Sequence, residues 1–523
     1  MKKATQNLSC PHCYSNNMIR KDTTSAGNKK YQCKSCKRIT INPLGLHFGD
    51  DFVETKSAMS VADDCKKFDR FFITSAQNGT PVFANGLNTV HNYCKQNNAK
   101  LVVMPVRYKN PTRPNEQNMD QGDEWFDTSV EQFLTDKRFD LCRGLTVLGD
   151  VRVQPTAVNP LTGLETFTGS ESCIVASPKK AMQTIPTRNG ELAKIMQTTG
   201  SITVSNYSNS KAGAKGDNSH NLGGLVVEVD RRRGLFNIRR VSINRDGSFY
   251  DLNRKYSGLK IWKNKRPDAV VLGDLHYRFA NKTIEKCIES DIFGKLNPRN
   301  VVMHDVVDSF AVSHHHAKKP FTNLAKHRAG FGNIFYEIKE FTNKANEWCR
   351  LKKSTCFHVV PSNHHEHIQR WIEESNWKTD PENAEFYLET ALHLVKNTKM
   401  TNAGTDHPDP FEYWLNKLSP KLNIVPEDGS LVISGMELGM HGHIGPNGAR
   451  GSLKNLAKTG TPVVVGHVHS PGELGDSLAV GVCAPEMEYA RGPSGWLSSQ
   501  AIVYPDGNTT LVNIIEGQFT NML

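Results

Sequence analysis

The stretch "VVPSNHHEH", residues 359–367, joins the end of an apolar run to polar side chains that can bind metal ions. The apolar run stops at Pro361, and Asn363 and His364 follow two and three residues later. A short apolar run that ends at a proline is typical of a buried strand. In layered α/β folds, function gathers where strand ends open into loops. The other strand ends of the chain are therefore candidates for the same site.

Five apolar runs between residues 267 and 515 end in polar clusters of this kind. A single histidine beside a strand is more often a hydrogen-bonded structural residue than a ligand, but five such clusters in series are hard to obtain by chance. In chain order, the clusters contain Asp274 and His276, Asp305 and Asp308, Asn363 and His364, His441 and His443, and His467 and His469.

The residue types indicate the chemistry of the site. Mixed carboxylate and imidazole ligands suit Mn, Fe or Zn. One carboxylate can bridge two cations, and a pair of cations roughly 3.5–4 Å apart lowers the pKa of a trapped water and stabilises the attacking and leaving oxygens of a phosphate. The clusters therefore predict a dinuclear metal centre that acts on phosphate esters.

Residues 267–515, about half of the chain, resemble the calcineurin-like metallophosphoesterases. That family has the motifs DxH, GDxxD, GNH, HGH and GHxH in the same order. The resemblance implies a layered α/β fold, a metallophosphoesterase β-sandwich flanked by helices. It also implies two divalent metal ions, Mn or alternatively Mg or Fe, and attack of a metal-bridging hydroxide on a phosphodiester. The family's glycines before the bridging Asp and before the Asn are replaced here by His304 and Ser362, while no ligand position is lost.

The resemblance assigns a role to each motif residue. His364 is the expected general acid or phosphate-polarising group, and Asp308 is expected to support it. The ligands of one metal ion would be Asp274, His276, Asp305 and His469, and those of the other Asp305, Asn363, His441 and His467.

Two groups of histidines fall outside these motifs. His365 and His367, with Glu366 between them, are expected to begin the next helix, on the surface or in a supporting position. A solvated loop is the favoured interpretation of the run at residues 314–316, although contact with substrate is the alternative.

Four of the 12 cysteines form two close pairs near residue 1, whereas the other eight are mostly scattered singly. Scattered cysteines do not indicate a disulfide framework and suit a reducing compartment. Two CxxC pairs separated by 19 residues fit a tetrahedral zinc site with four thiolates. The stretch resembles the zinc ribbons of some transposase-type DNA-binding proteins, and it predicts one structural Zn held by Cys10, Cys13, Cys33 and Cys36.

The net charge of +11 is concentrated in two blocks. Residues 1–40 carry +8 and residues 228–268 carry +7, so the rest of the chain carries −4. Basic blocks often contact nucleic acid, although a solvated basic surface is an equal alternative for either block alone. The second block leads directly to the first metal motif, and its predicted DNA-binding residues are Arg231, Arg232, Arg233, Arg239 and Arg240.

A chain of 523 residues has room for roughly three domains of about 150 residues each. We predict a zinc ribbon at 1–45, a linker at about 41–60, a mixed α/β domain of unknown role at 60–260 and the phosphoesterase domain at 265–523. No apolar run approaches the ~20 residues of a membrane span, and residues 1–10 do not form a signal peptide. We therefore expect a cytosolic protein without a membrane partner, and the sequence leaves a homo-oligomer open.

The predicted function is a two-metal DNA nuclease, since a polymer with one charge per phosphate would be attracted to the basic segment. The nearest members of the family would be the DNA-repair exonucleases. The layout also resembles bacteriophage pre-early proteins that degrade host DNA, which would act in the host cytoplasm. The alternatives are a phosphoprotein or small-nucleotide phosphoesterase, and a non-catalytic DNA-binding scaffold. The intact set of ligand positions argues against the scaffold.

Overall fold

The computed structural model describes residues 10, 15–23, 29–40, 63–108, 125–188, 190–402, 404–487 and 490–523. The chain divides into two compact units, Met1–Lys56 and Ser57–Leu523. Within the described ranges, no helix is both long enough and apolar enough to cross a membrane. The predicted linker at 41–60 lies outside the described residues.

The first unit contains a small antiparallel sheet of three strands, β1 (Met18–Thr23), β2 (Lys29–Cys33) and β3 (Ile39–Thr40). The strands lie in chain order in the sheet. The turn between β2 and β3 is closed by hydrogen bonds from Lys37 N to Cys33 O and from Cys33 N to Arg38 O. This turn carries the second pair of cysteines.

The second unit is a mixed α/β structure built from several sheets and helices. Its strands are β4 Arg70–Gln77, β5 Lys100–Val106, β6 Arg138–Cys142, β7 Leu145–Leu148, β8 Ser172–Val175, β9 Ala181–Ile185, β10 Lys194–Thr198, β11 Gly223–Asp230, β12 Leu235–Ser242, β13 Phe249–Asp251, β14 Arg254–Ser257, β15 Lys260–Trp262, β16 Ala269–Val271, β17 Asn300–Met303, β18 Cys356–Val359, β19 Lys399–Thr401, β20 Gly404–Asp406, β21 Asn423–Ile424, β22 Val432–Ile433, β23 Met436–Glu437, β24 Val464–Val465, β25 Gly472–Leu474, β26 Ser477–Ala479, β27 Ser499–Val503 and β28 Thr509–Asn513. Its α-helices are α1 Ala84–Gln96, α2 Thr128–Glu131, α3 Lys211–Asn218, α4 Lys282–Cys287, α5 Pro320–Arg328, α6 Ile334–Leu351, α7 Glu366–Glu374, α8 Ala384–Asn397, α9 Pro410–Leu418 and α10 Leu453–Leu456.

A six-stranded sheet in the order β21-β18-β17-β16-β27-β28 carries the first three motifs. Strands β21, β18, β17 and β16 are mutually parallel. Strand β27 runs antiparallel to β16, and β28 runs antiparallel to β27. Side chains alternate between the two faces, as the two-residue period of a strand requires. Val270 and Val301 pack in a cluster with helical residues such as Ile338, whereas Val271 and Val302 pack in a second cluster with residues of other sheets. Both faces of this sheet are therefore buried.

Helix α6 supplies several of the helical residues in the first cluster, and its sequence shows why it buries one side. Asn333 caps the helix, because its side chain accepts a hydrogen bond from Tyr336 N. The apolar residues of α6 recur every three or four positions, which places them on one side of a helix. The buried residues of that side include Ile334, Ile338, Phe341, Ala345 and Trp348.

An eight-stranded sheet connects distant parts of the second unit. Its order is β24-β26-β25-β9-β10-β8-β7-β6, so strands from residues 138–198 continue into strands from residues 464–479. The join is an antiparallel pairing of β25 with β9. The strands that precede and follow the last metal motif therefore belong to a sheet shared with the middle of the chain. The predicted domain boundary near residues 260–265 stays a prediction.

Several local predictions are confirmed. The pattern at residues 87–108 predicts an amphipathic helix and then a strand at Leu101–Pro105, and the structure has α1 and β5 there, with β5 parallel to β4. The sequence also predicts helices at 281–293, 333–352 and 383–397, which correspond to α4 with a following π-helix (Ile288–Leu296), α6 and α8. It predicts a hairpin around Asp506 and Gly507, which β27 and β28 form.

The prediction that Arg239 and Arg240 contact DNA is wrong in this structure, because both lie on β12 and are 2% exposed. Arg239 Nη1 lies 2.8 Å from Glu228 Oε1, and its Nη2 lies 3.0 Å from Asp251 Oδ2. Arg240 Nε lies 2.7 Å from Glu473 Oε1. Sequence shows the charge of these residues but not the buried carboxylates that neutralise it.

We expect Arg239→Met to destabilise the fold strongly. The substitution leaves Glu228 and Asp251 buried without their cation, and breaking a buried ion pair in this way costs about 3–5 kcal/mol. The free energy of unfolding from chemical denaturation should fall by that amount. Arg232→Met, at an exposed position of the same basic segment, is the control and should change it by no more than about 0.5 kcal/mol. Equal stability of the two variants would contradict the role of Arg239 as the cation that neutralises the two buried carboxylates.

Candidate metal centre

The first three motifs follow three neighbouring parallel strands. Asp274 follows β16, Asp305 follows β17 and Asn363 follows β18, and the three strands are adjacent in the sheet. Because parallel strands end at the same edge, these side chains emerge side by side. Backbone hydrogen bonds fix the loops to one another, from Leu275 N to His304 O and from His276 N to Asp305 O.

The last two motifs reach the same place from other strands. His441 and His443 follow β23, and His467 and His469 follow β24 of the eight-stranded sheet. Gly466 N donates to His441 O at 2.8 Å, and His467 N donates to the carboxylate of Asp274 at 2.7 Å. All five motifs therefore meet in one place.

Gly466 has a specific steric role in this meeting. A Cβ atom at this position would lie 2.1 Å from Asp274 Oδ1, which is closer than real Cβ atoms approach any other atom. The loop that carries His467 can therefore reach Asp274 only because residue 466 has no side chain.

Four of the predicted ligands form one buried cluster. Their ligand atoms all lie within 4.8 Å of one another. His469 Nε2 is 3.1 Å from Asp274 Oδ2 and 3.3 Å from His276 Nε2, and His276 Nε2 is 3.7 Å from Asp305 Oδ2. The cluster consists of Asp274, His276, Asp305 and His469, which is the set predicted for the first ion.

The residues predicted for the second ion lie next to Asp305 and to one another. His441 Nε2 is 3.1 Å from Asp305 Oδ2, and His467 Nδ1 is 3.1 Å from Asn363 Oδ1. The rings of His441 and His467 are 5.3 Å apart, centre to centre. Asp305 therefore contacts a member of each predicted set, as a shared ligand must.

Asp308 lies between two imidazoles. Its Oδ1 is 3.1 Å from His276 Nδ1 and 3.2 Å from His364 Nδ1, while its backbone oxygen is 3.0 Å from His364 Nδ1. The contact with the backbone oxygen orients the ring of His364, and the carboxylate lies beside both imidazoles. These contacts fit the predicted supporting role of Asp308.

The backbone of the centre is strained. His276, Asp305, His467 and His469 have φ angles of +38°, +41°, +70° and +56°. Non-glycine residues rarely adopt this left-handed region, and such strain clusters at functional sites. Four predicted ligands adopt this left-handed conformation, which indicates that the loops hold these side chains in place at the cost of backbone strain.

Close packing of charges shifts the pKa values of the centre. Burial alone would raise the pKa of Asp305, but the imidazoles of His441 and His364 outweigh it and hold that pKa well below its usual range. Burial alone would lower the pKa of His364, but Asp305 and Asp308 raise it. Burial, followed by the neighbouring His441, lowers the pKa of His467 to about 4. Asp305 is thus anionic and His467 neutral near pH 7, the states in which each can bind a cation.

The donor set fits divalent cations. Among the described residues, neither buried carboxylate oxygen of Asp305 receives a hydrogen bond of good geometry, and neither ring nitrogen of His441 makes one. A buried polar atom without a partner costs about 1–3 kcal/mol. Cations bound between these oxygen and nitrogen atoms would remove that cost, and mixed carboxylate and imidazole ligands suit Mn, Fe or Zn.

Sequence reasoning missed several residues around the centre. His365 and His367 were expected on the surface or in support, and both are buried, although α7 does begin at Glu366 as predicted. His443 Nε2 lies 3.1 Å from Glu366 Oε1. His304, which directly precedes Asp305, is buried with its ring 5.5 Å from that of His441. The row of histidines was the available signal, but burial depends on packing from other elements.

Three of the predicted zinc ligands of the ribbon also lie together. Cys10, Cys33 and Cys36 form a candidate metal-binding group, and the sulfurs of Cys10 and Cys36 are 3.6 Å apart. Sulfurs bound to one tetrahedral zinc at ~2.3 Å would be roughly 3.8 Å apart, so this spacing fits. The fourth predicted ligand, Cys13, lies outside the described residues.

We expect Cys33→Ser to remove one equivalent of zinc and to unfold the sheet of the first unit, because zinc closes a loop too small to hold a core of its own. Hydrolysis of a small chromogenic phosphodiester should stay largely intact. Metal analysis and the hydrolysis rate are the measurements, and Cys356→Ser, at an exposed lone cysteine, is the control. Unchanged zinc content in Cys33→Ser would show that the cysteines hold no structural ion.

Fold and site together define a mixed α/β protein with a candidate metal centre of carboxylates and imidazoles and a separate cysteine cluster. The sequence is 31% identical over 483 residues to Protein A1 of Escherichia phage T5, covering 87% of this chain and 84% of that protein. The chain belongs to the same family as Protein A1, which supports a phage origin. No protein-family model and no solved structure matches the chain.

Proposed function

We propose that this protein is a metal-dependent nuclease that hydrolyses phosphodiester bonds of DNA. The observation that carries the proposal is the meeting of carboxylates, imidazoles and an amide from five loops around Asp305. We further propose that residues 265–523 have the calcineurin-like metallophosphoesterase fold. The parallel order of β16, β17 and β18 and the motif at the end of each strand support it.

The proposed residues divide the work of the reaction. Two divalent cations, when bound by the two ligand sets that share Asp305, would supply a nucleophile from water and neutralise charge on the phosphate. His364 is the proposed donor of a proton to the leaving oxygen, and the contacts of its Nδ1 with Asp308, at 3.0 Å and 3.2 Å, support this role. Asn363 adds an oxygen ligand without adding a negative charge that would repel the phosphate.

DNA is the proposed substrate because the net charge of the chain is +11 and a member of the same family comes from a phage. We propose that the enzyme degrades DNA in the cytoplasm of the infected host.

The function is tested with purified full-length protein, Mn²⁺ or Mg²⁺, and linear, circular and single-stranded DNA. Metal-dependent cleavage of any of these supports the nuclease, and their relative rates separate endonuclease from exonuclease action. Hydrolysis of phosphomonoesters or phosphoproteins without DNA cleavage would instead establish the alternative phosphoesterase. DNA binding without hydrolysis of any phosphate ester would establish a scaffold.

Arg231, Arg232 and Arg233 are the three predicted DNA contacts that are exposed. Arg231 already pairs with Asp69 and Arg233 with Glu516, whereas the side chain of Arg232 makes no ion pair or hydrogen bond with the described residues. We therefore propose Arg232 as the main phosphate contact of this trio.

If Arg232 binds a phosphate, Arg232→Gln should weaken DNA binding for all sequences. Each phosphate contact contributes about −0.9 to the slope of log affinity against log salt. That slope should become shallower by about this amount, as measured by fluorescence anisotropy over a salt series. Arg188→Gln, at another exposed arginine, is the control. A slope in Arg232→Gln equal to that of the control would exclude Arg232 from the DNA interface.

A further inference from the structure

Three histidines outside the predicted ligand set form a cluster next to the metal centre. His314 and His315 lie on a short helical turn (His314–His316) in the segment that follows β17, and His367 lies in the first turn of α7. Their ligand nitrogens all lie within 4.8 Å of one another. The ring centres are 3.9 Å apart for His314 and His315 and 4.8 Å apart for His314 and His367.

Unsatisfied nitrogens distinguish this cluster from ordinary packing. The Nδ1 atoms of His314 and His367 are buried, and neither has a hydrogen-bond partner among the described residues. Leaving a buried polar atom unpaired costs about 1–3 kcal/mol. Two such atoms within one group of three imidazoles are available to bind a ligand.

The turn that carries His314 and His315 is held in place from several sides. The carboxylate of Glu337, buried on α6, accepts hydrogen bonds from Phe310 N at 3.2 Å and from Ala311 N at 3.3 Å. Lys326 Nζ donates to Phe310 O, and Asn323 Nδ2 donates to His316 O at 3.1 Å. These anchors place the two histidines before any ligand binds, which lowers the entropy cost of binding.

We propose that His314, His315 and His367 form a separate binding site for a transition-metal cation such as Zn²⁺. Imidazole is a preferred ligand of Zn, Cu, Fe and Ni. Nitrogens bound to one tetrahedral zinc at ~2.0–2.1 Å are roughly 3.4 Å apart, so closure from the observed spacing requires small rotations. His315 is exposed, and its ring centre is 5.6 Å from that of His367, the largest of the three spacings that rotation would have to close.

Three protein ligands leave the fourth tetrahedral position open, as in zinc sites that bind a water or a substrate. The ring of His367 lies 5.2 Å from that of His364. The cation would therefore add positive charge beside the predicted centre and offer a position to an anionic ligand such as a phosphate oxygen. The binding of this cation does not depend on the proposed nuclease reaction.

The test is Zn²⁺ binding to the metal-free full-length protein, measured by equilibrium dialysis and elemental analysis. Wild type and the control His327→Ala, at an exposed histidine of α5, should bind one equivalent more than His315→Ala. His315 is exposed, so its replacement should leave the fold intact, which circular dichroism checks.

A second pair of variants separates this site from the predicted dinuclear centre. The single variant Asp305→Asn should still bind the zinc equivalent of the three-histidine site. The double variant, Asp305→Asn combined with His315→Ala, should lose that equivalent. Equal zinc stoichiometry with and without the His315→Ala change, in both backgrounds, would overturn the proposal whether or not the protein cleaves DNA.

Discussion

Asp305→Ala is expected to abolish metal-dependent hydrolysis, because Asp305 is the one predicted ligand that both metal ions share. Its Oδ2 atom lies 3.7 Å from His276 Nε2, of the first predicted set, and 3.1 Å from His441 Nε2, of the second. A metal ion acting as a Lewis acid contributes several kcal/mol to the transition state, and each ~1.4 kcal/mol is a factor of ten in rate. We therefore expect a loss of about 10³-fold or more.

The measurement combines metal content with the rate of phosphodiester hydrolysis. Asp305→Asn keeps the shape of the side chain and removes its charge, so it separates loss of metal from loss of packing. Asp476→Asn, at an exposed aspartate, is the matched control and should behave as wild type. Full metal occupancy together with substantial activity in Asp305→Ala would refute the dinuclear assignment.

His364→Asn is expected to slow cleavage by about 10²–10⁴-fold, the usual contribution of a general acid or base. His364 lies outside the four-residue cluster around Asp274, and its Nδ1 faces Asp308. The variant should therefore keep both metal ions and its affinity for DNA. His441→Asn, by contrast, removes an imidazole 3.1 Å from Asp305 and should lose the second ion.

The paired measurement is metal content and single-turnover cleavage for both variants. His276, Asp308 and His364 also form a candidate metal-binding group, so a competing assignment makes His364 a ligand. Loss of metal from His364→Asn to the same extent as from His441→Asn would establish that competing assignment.

Much of the centre could be predicted because each motif is local. A cluster such as Asp274 and His276 follows its own strand by a few residues, and sequence shows both the apolar run and the polar end. Parallel order in the sheet then places neighbouring strand ends together. The structure brings Asp274, His276 and Asp305 together for this reason, and His469 joins their cluster from the eight-stranded sheet.

Predictions about charge and exposure failed where distant segments decide the environment. Arg240 appears basic and solvated in the sequence, but Glu473 lies beside it in the fold. His367 was expected on the surface or in a supporting position, and only the fold shows that it is buried against the turn at His314. No local pattern encodes a partner that lies many residues away.

The shared eight-stranded sheet has a consequence for the order of events during protein synthesis. Strand β9 is an open edge until β25 is made, and Arg240 lacks its carboxylate until Glu473, 233 residues later, leaves the ribosome. At about 5–20 residues per second, that interval is roughly 10–50 s.

During this interval the nascent chain exposes an unpaired strand edge and an arginine without its buried partner, features that favour aggregation and binding by chaperones. His469 appears at almost the same time as β25. The predicted catalytic centre therefore cannot assemble on the ribosome before most of the chain has been translated.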